Sequence, residues 1–132
     1  MEGFDFVHRE RVRFRDLDAM GHVNNAVFAT YVEQARIEYL RSLGVLEGPL
    51  YMGMILARLE LDFVAPALPE GEIEIGVRPV RSGNKSFELE YDLEQAGRTV
   101  ARARTVLVAY DYEQAQSVPL PESWRDLLAV PA

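Results

Sequence analysis

Apolar and polar positions along this chain follow two rhythms. Between Val27 and Leu43 the residues Val27, Phe28, Tyr31, Val32, Ala35, Tyr39 and Leu43 recur at steps of three and four, the spacing of one helix face. Asn24 or Asn25 can cap that helix, because an Asn side chain accepts hydrogen bonds from the free N–H groups of a first turn. Gly44 supplies the stop. Glu33, Arg36, Arg41 and Ser42 fall on the opposite side. A helix of this length extends about 30 Å and needs a whole sheet to cover it.

The rest of the chain runs at period two. Arg9, Arg11, Arg13 and Arg15 alternate with Val12 and Phe14, which reads as a half-buried strand from Arg9 to Arg15. Its arginine stripe is a solvated face paired with acidic neighbours, with phosphate binding the less favoured role. Ile55, Ala57, Leu59, Leu61 and Phe63 alternate with Leu56, Arg58, Glu60 and Asp62 in a second strand. Pro66, Pro69 and Gly71 turn the chain into a third, with Ile73, Ile75 and Val77 inward and Pro79 marking an edge or bulge. After the turn at Ser82-Gly83-Asn84, Phe87, Leu89, Tyr91 and Leu93 alternate with four acids. Gln95-Ala96-Gly97 turns again. From Val100 to Tyr110 the alternation fades into T-V-L-V-A-Y, the pattern of a strand covered on both faces. A short helix at E-S-W-R-D-L-L ends the chain. One strand, one long helix and a run of hairpin-linked strands make an α+β domain, a single helix packed on an antiparallel sheet.

Composition narrows the function. At 132 residues and 48% apolar content the chain is sized for one domain, 1–132, with a real core. A net charge of -7 argues against general nucleic-acid binding, and any polyanionic ligand would need a local basic patch. Without cysteine there is no disulfide scaffold, thiolate metal site or cysteine nucleophile. Two histidines, His8 and His22, offer no metal-ligand spacing, so no metal or cofactor is expected. There is no basic n-region before an apolar run and no stretch long enough to span a bilayer, so the expected location is cytoplasmic, off the membrane.

Chemistry concentrates in D-L-D-A-M-G-H-V-N-N, 16–25. Two carboxylates, a histidine and two asparagines immediately precede a helix start, where unpaired N–H groups carry about half a positive charge. A carboxylate beside such a terminus is a device for attacking a carbonyl. On these residues alone Asp18 reads first as a capping or turn aspartate, Asn24 and Asn25 as caps, and Asp16 as a strand-end salt bridge. His22 orients the loop or a ligand, acts as an acid/base, or is a hydrogen-bonded histidine outside the chemistry. Glu33 and Arg36 are spaced to satisfy each other on one helix turn.

These residues carry a resemblance that covers nearly the whole chain. D-L-D-A-M-G-H-V-N-N, the helix ending in E-Q-A-R-I-E-Y-L-R-S-L-G, L-E-L-D-F-V-A-P at 59–66, N-K-S-F-E-L-E-Y-D-L at 84–93 and the late A-R-A-R-T-V-L-V-A-Y-D together resemble the hot-dog fold thioesterases of the 4-hydroxybenzoyl-CoA thioesterase type. The Asp18, His22 and Asn24 spacing is also similar to plant acyl-ACP thioesterases, whose motif has Asn where Met20 stands here. The resemblance implies a sheet wrapped around the long helix, protomers paired edge to edge as a homodimer or dimer of dimers, and acyl-CoA hydrolysis at the dimer interface. It implies Asp18 as the catalytic carboxylate, as base or nucleophile. The backbone N–H near Asn25 would polarise the thioester, with His22 and Asn24 beside the substrate. Lys85, with Arg81 in support, would contact the CoA phosphates. Phe28, Tyr31 and Met52 to Met54 are candidates for an acyl pocket or for plain core. A hydratase or dehydratase, or a non-catalytic acyl-CoA-binding module, are the alternatives.

Overall fold

The computed structural model describes residues 1–46 and 53–129. The order is β1 (Phe6–Arg11), a single 3-10 turn (Phe14–Asp16), α1 (Asn25–Leu43), β2 (Met54–Phe63), β3 (Glu72–Ser82), β4 (Ser86–Gln95), β5 (Arg98–Asp111), β6 (Gln116–Ser117) and α2 (Glu122–Leu127). The sheet is antiparallel in the order β1-β3-β4-β5-β2, with β6 on the end of β5. It wraps α1, the α+β hot-dog arrangement the sequence led us to expect. Among the described residues no helix is long and apolar enough to cross a membrane.

Directly opposed residues in an antiparallel pair share a face. Ile73, Ile75 and Val77, with Phe87, Leu89, Tyr91 and Leu93, are buried beneath the helix. The opposite face of the sheet carries cross-strand ion pairs, among them Arg78 and Arg104 on Glu90, and Arg102 on Asp92. At the β4–β5 turn Ala96 and Gly97 both take positive φ, the conformation a two-residue hairpin needs to match strand twist. Pro79 sits at a register shift, as its inability to donate to the ladder requires.

Four expectations are corrected. The first strand lies earlier than Arg9–Arg15, because the chain turns at 14–16: Asp16 N–H donates to the Arg13 carbonyl and Arg13 N–H to the Asp16 carboxylate. Phe14 is therefore left in solvent while His8 and Glu10 occupy the inward side of β1, hydrogen-bonded to each other at 2.7 Å. Arg36 belongs to the covered side of α1, not the solvated one. It is buried, bonds to Tyr91, and reaches Glu33 only at 3.8 Å. β5 is fully buried on one face only, since Val106, Val108 and Tyr110 are half-covered and Arg102 and Arg104 exposed. Among the described residues Asp16 makes no salt bridge: it is buried and accepts from Tyr31 and from backbone.

Candidate active site

The loop from Leu17 to Asn24 is a miniature hairpin. Leu17 and Val23 bridge, Asp18 N–H donates to the His22 carbonyl at 2.8 Å, and Gly21, at φ 79°, makes the reversal. Asp18 Oδ1 accepts from Met20 N–H at 2.8 Å and His22 N–H at 3.2 Å. The turn reading of Asp18 is thus correct for one of its oxygens. The other, Oδ2, accepts no hydrogen bond from any described residue, and the side chain is exposed.

The helix begins immediately afterwards. Asn24 is the cap: its Oδ1 accepts from Ala26 N–H at 2.8 Å and its carbonyl from Val27 N–H. Asn25 is the first helical residue, and its N–H donates to no described residue. That leaves one open donor at the positive end of α1.

Asp18, His22 and Asn25 border one cleft of about 260 Å³, with Val23, Phe28 and the segment Phe63–Ala67 as its other walls. The second wall is held in place by backbone. Val64 and Ala65 donate to the Val100 carbonyl, and Val23 N–H donates to Ala67 across the cleft floor. Buried Gln95 fixes the continuation through bonds to Leu68 and Glu70. Phe28 and Phe63 meet edge to face, their ring centres 5.7 Å apart. The cleft is therefore polar at its mouth and aromatic within.

Of the acyl-pocket candidates only Phe28 lines this cleft. Tyr31 is 2% exposed and donates its hydroxyl to Asp16, Met54 packs on the core, and Met52 lies outside the described residues. Asn24 faces the helix rather than the cleft wall. Lys85 and Arg81 are not gathered with Asp18. They sit at the β3–β4 turn, where Ser86 pairs with Val108 and Val108 with Ile55, whereas the cleft lies beyond Leu93, Ala101 and Phe63. Along β4 the two rows are separated by about 23 Å. Both cations are exposed, and Arg81 approaches Glu88 at 3.5 Å. A third cation stands at this turn that pattern reading missed: Arg125 of α2 donates to the carbonyls of Gly83 and Asn84. The role of 63–67 as a wall was also missed, although L-E-L-D-F-V-A-P carried part of the resemblance, because the segment has no polar signature.

Residues 12–128 match the family model described as the thioesterase-like superfamily. The chain belongs to the thioesterase-like superfamily. Among solved structures, this thioesterase-like domain is similar to a Thermus thermophilus thioesterase complexed with coenzyme A and zinc. The two share 39% identity with a TM-score of 0.86, over 97% of this chain and 94% of that one. It is also 26% identical to a 1,4-dihydroxy-2-naphthoyl-CoA hydrolase of Synechococcus elongatus, over 97% of this chain and 98% of the relative. Among the described residues, no group of three His, Asp or Glu side chains is placed to hold a metal.

Proposed function

We propose that this protein hydrolyses acyl-CoA thioesters to the free acid and CoA, with Asp18 supplying the attack and Asn25 N–H the oxyanion contact. The observation that carries the reading is that Asp18, with one uncommitted oxygen, and Asn25, whose N–H is unbonded among the described residues, border one cleft. A thioester carbonyl placed there would have a donor for the negative charge that develops on its oxygen, worth about 10²–10³ in rate. Two routes are consistent with this geometry. Asp18 takes a proton from a water that attacks the carbonyl, or its carboxylate attacks directly and forms a mixed anhydride that water then opens. In both the carbon–sulfur bond breaks and the thiolate leaves as CoA after protonation. His22, whose backbone closes the Asp18 turn, orients the loop at the cleft mouth.

The protein acts as a paired unit in this reading. Among the described residues β2 is an edge strand hydrogen-bonded only to β5, and Leu56, Phe63 and Val64 leave apolar surface along it. A second copy laid antiparallel on that edge would cover this surface. It would also exchange the two ends of the sheet, bringing a partner's β3–β4 turn toward the cleft. The cations Lys85, Arg81 and Arg125 would then meet the CoA phosphates in trans, a local basic patch on an acidic protein.

Thiol release from a panel of aromatic, branched and medium-chain acyl-CoA thioesters tests the activity. Turnover on at least one class supports it, and binding without thiol release across the panel contradicts it. Single-turnover hydrolysis in labelled water separates the two routes, because only the anhydride route places label in the protein carboxylate.

A further inference from the structure

Asp16 joins three parts of the site without touching the cleft. Its Oδ2 accepts from the Tyr31 hydroxyl at 2.7 Å and from Arg13 N–H at 2.9 Å, and its carbonyl accepts from Asn24 N–H at 2.8 Å. Tyr31 is in the second turn of α1, Arg13 ends the approach from β1, and Asn24 caps the helix. Both partners of the central bond are covered, Asp16 at 7% and Tyr31 at 2% exposure. Asp18 is two residues further along the same loop.

The loop hairpin is also held by Val23, which is buried in the core, and by Leu17 packed against it. Val23 reaches Ala67, but the hydrogen bonds of Asp18 itself stay within residues 18–22. The distance between the Asp18 carboxylate and the Asn25 N–H is set at one end by the helix and at the other by the loop. Asp16 is where the two are fastened together.

We propose that Tyr31 and Asp16 are positioning residues, a buried hydroxyl–carboxylate clamp that holds the Asp18 loop in register with the first turn of α1. The inference rests on the catalytic reading of Asp18 given above. A hydrogen bond to a buried carboxylate is strong and its geometry narrow, so the clamp fixes direction as well as distance. Without it the fold keeps its core, because the Tyr31 ring still packs against Phe28, but the loop gains freedom relative to the helix. Displacement on the scale of an ångström at the reacting groups is enough to lower turnover about 10²-fold.

The experiment compares Tyr31→Phe, Asp16→Ala, Asp16→Asn and Asp18→Asn, each at a temperature where circular dichroism shows it folded, on an acyl-CoA that the parent hydrolyses. Tyr31→Phe and Asp16→Ala are expected to lower kcat by about 10- to 100-fold with KM little changed. Asp16→Asn should retain most of the parental kcat, since its amide oxygen accepts the same two bonds. Should Asp16→Ala fail to fold, the Tyr31→Phe and Asp16→Asn arms still decide. Parental kcat in Tyr31→Phe beside an inactive Asp18→Asn overturns the clamp alone. Loss in Asp16→Asn as deep as in Asp18→Asn overturns it too, because the charge of Asp16 would then take part in the reaction. Full activity in Asp18→Asn removes the catalytic reading, and the clamp with it.

Discussion

Asp16 and Asp18 are two residues apart in one loop, and their surroundings are opposite. Asp16 is buried, and its Oδ2 is shared by a tyrosine hydroxyl and a backbone N–H. Asp18 is exposed, spends Oδ1 on its own turn and borders a cleft, with Oδ2 bonded to no described residue. Each has one oxygen that serves two donors, so burial makes the difference. A buried carboxylate tied to a helix stabilises structure, whereas an exposed one beside a helix N-terminus is the candidate to react. What separates them is burial and what each carboxylate borders, the covered face of α1 at Asp16 and a cleft at Asp18, which residue type does not reveal.

Substitution should split the pair along these lines. The largest effect belongs to Asp18→Asn, expected to lower thiol release by about 10²–10⁴-fold, the usual worth of a positioned base. The amide oxygen can still accept from Met20 and His22, so its unfolding midpoint should match the parent. A variant that loses both activity and midpoint would show that the turn, not the base, was removed. Asp16→Ala should show the reverse emphasis in denaturant. Stranding the Tyr31 hydroxyl and Arg13 N–H costs about 1–3 kcal/mol of stability, while Asp18→Ala costs little because its donors are solvated. Equal losses at the two positions would erase the distinction.

A smaller effect concerns the distant cations. Lys85→Ala should raise KM on acyl-CoA by about tenfold, as for loss of a charge-assisted phosphate contact, and leave a truncated pantetheine thioester unaffected. If the phosphate contact acts across the dimer, mixing Asp18→Asn with Lys85→Ala subunits rebuilds one intact site per heterodimer. Activity on acyl-CoA then rises above that of either variant alone. No gain on mixing would place Lys85 in cis or outside the site.

The smallest effect is one of pH. Burial raises the phenols of Tyr31, Tyr39 and Tyr91, helped at Tyr31 by its bond to Asp16. A raised phenol stabilises the fold fully below its ordinary 10.0, and that contribution disappears as pH climbs through the folded value. For Tyr39, pushed up to about 12, the window runs from 10.0 to about 12. Melting temperature should fall across this window, and Tyr39→Phe should lessen the fall. An unchanged fall in that variant would leave Tyr39 out of it.

Much of the fold could be read from periodicity, because α1, β3 and β4 each bury one face, whereas β2 is only half-covered and shifts register between Leu56 and Arg58. Apart from β5, whose second face proved open, reading failed where a polar residue occupied a buried position. Arg36 carries the pattern of a solvated face but bonds to Tyr91 beneath the helix, and His8 and Glu10 face inward on a strand whose arginines drew attention outward. The 3-10 turn at 14–16 depends on the hydrogen bonds that Asp16 makes with Arg13, which alternation does not encode. At the site, D-L-D-A-M-G-H-V-N-N announced a loop beside a helix start, and residue type narrowed the cap to Asn24 or Asn25, of which the structure takes Asn24. Tyr31 as the partner of Asp16 did not, since helix spacing places it on the covered stripe without saying where its hydroxyl points. Nor did the far position of Lys85, which is a matter of strand register.

The central claim is a convergence: one free oxygen of Asp18 and the N–H of Asn25 meeting on a single carbonyl. A crystal structure of Asp18→Asn with an intact acyl-CoA tests it directly. The account predicts the thioester oxygen about 2.7–3.1 Å from Asn25 N, with the side chain of residue 18 beside the carbonyl carbon or the water approaching it. An acyl-CoA bound with its thioester away from the first turn of α1 would contradict it.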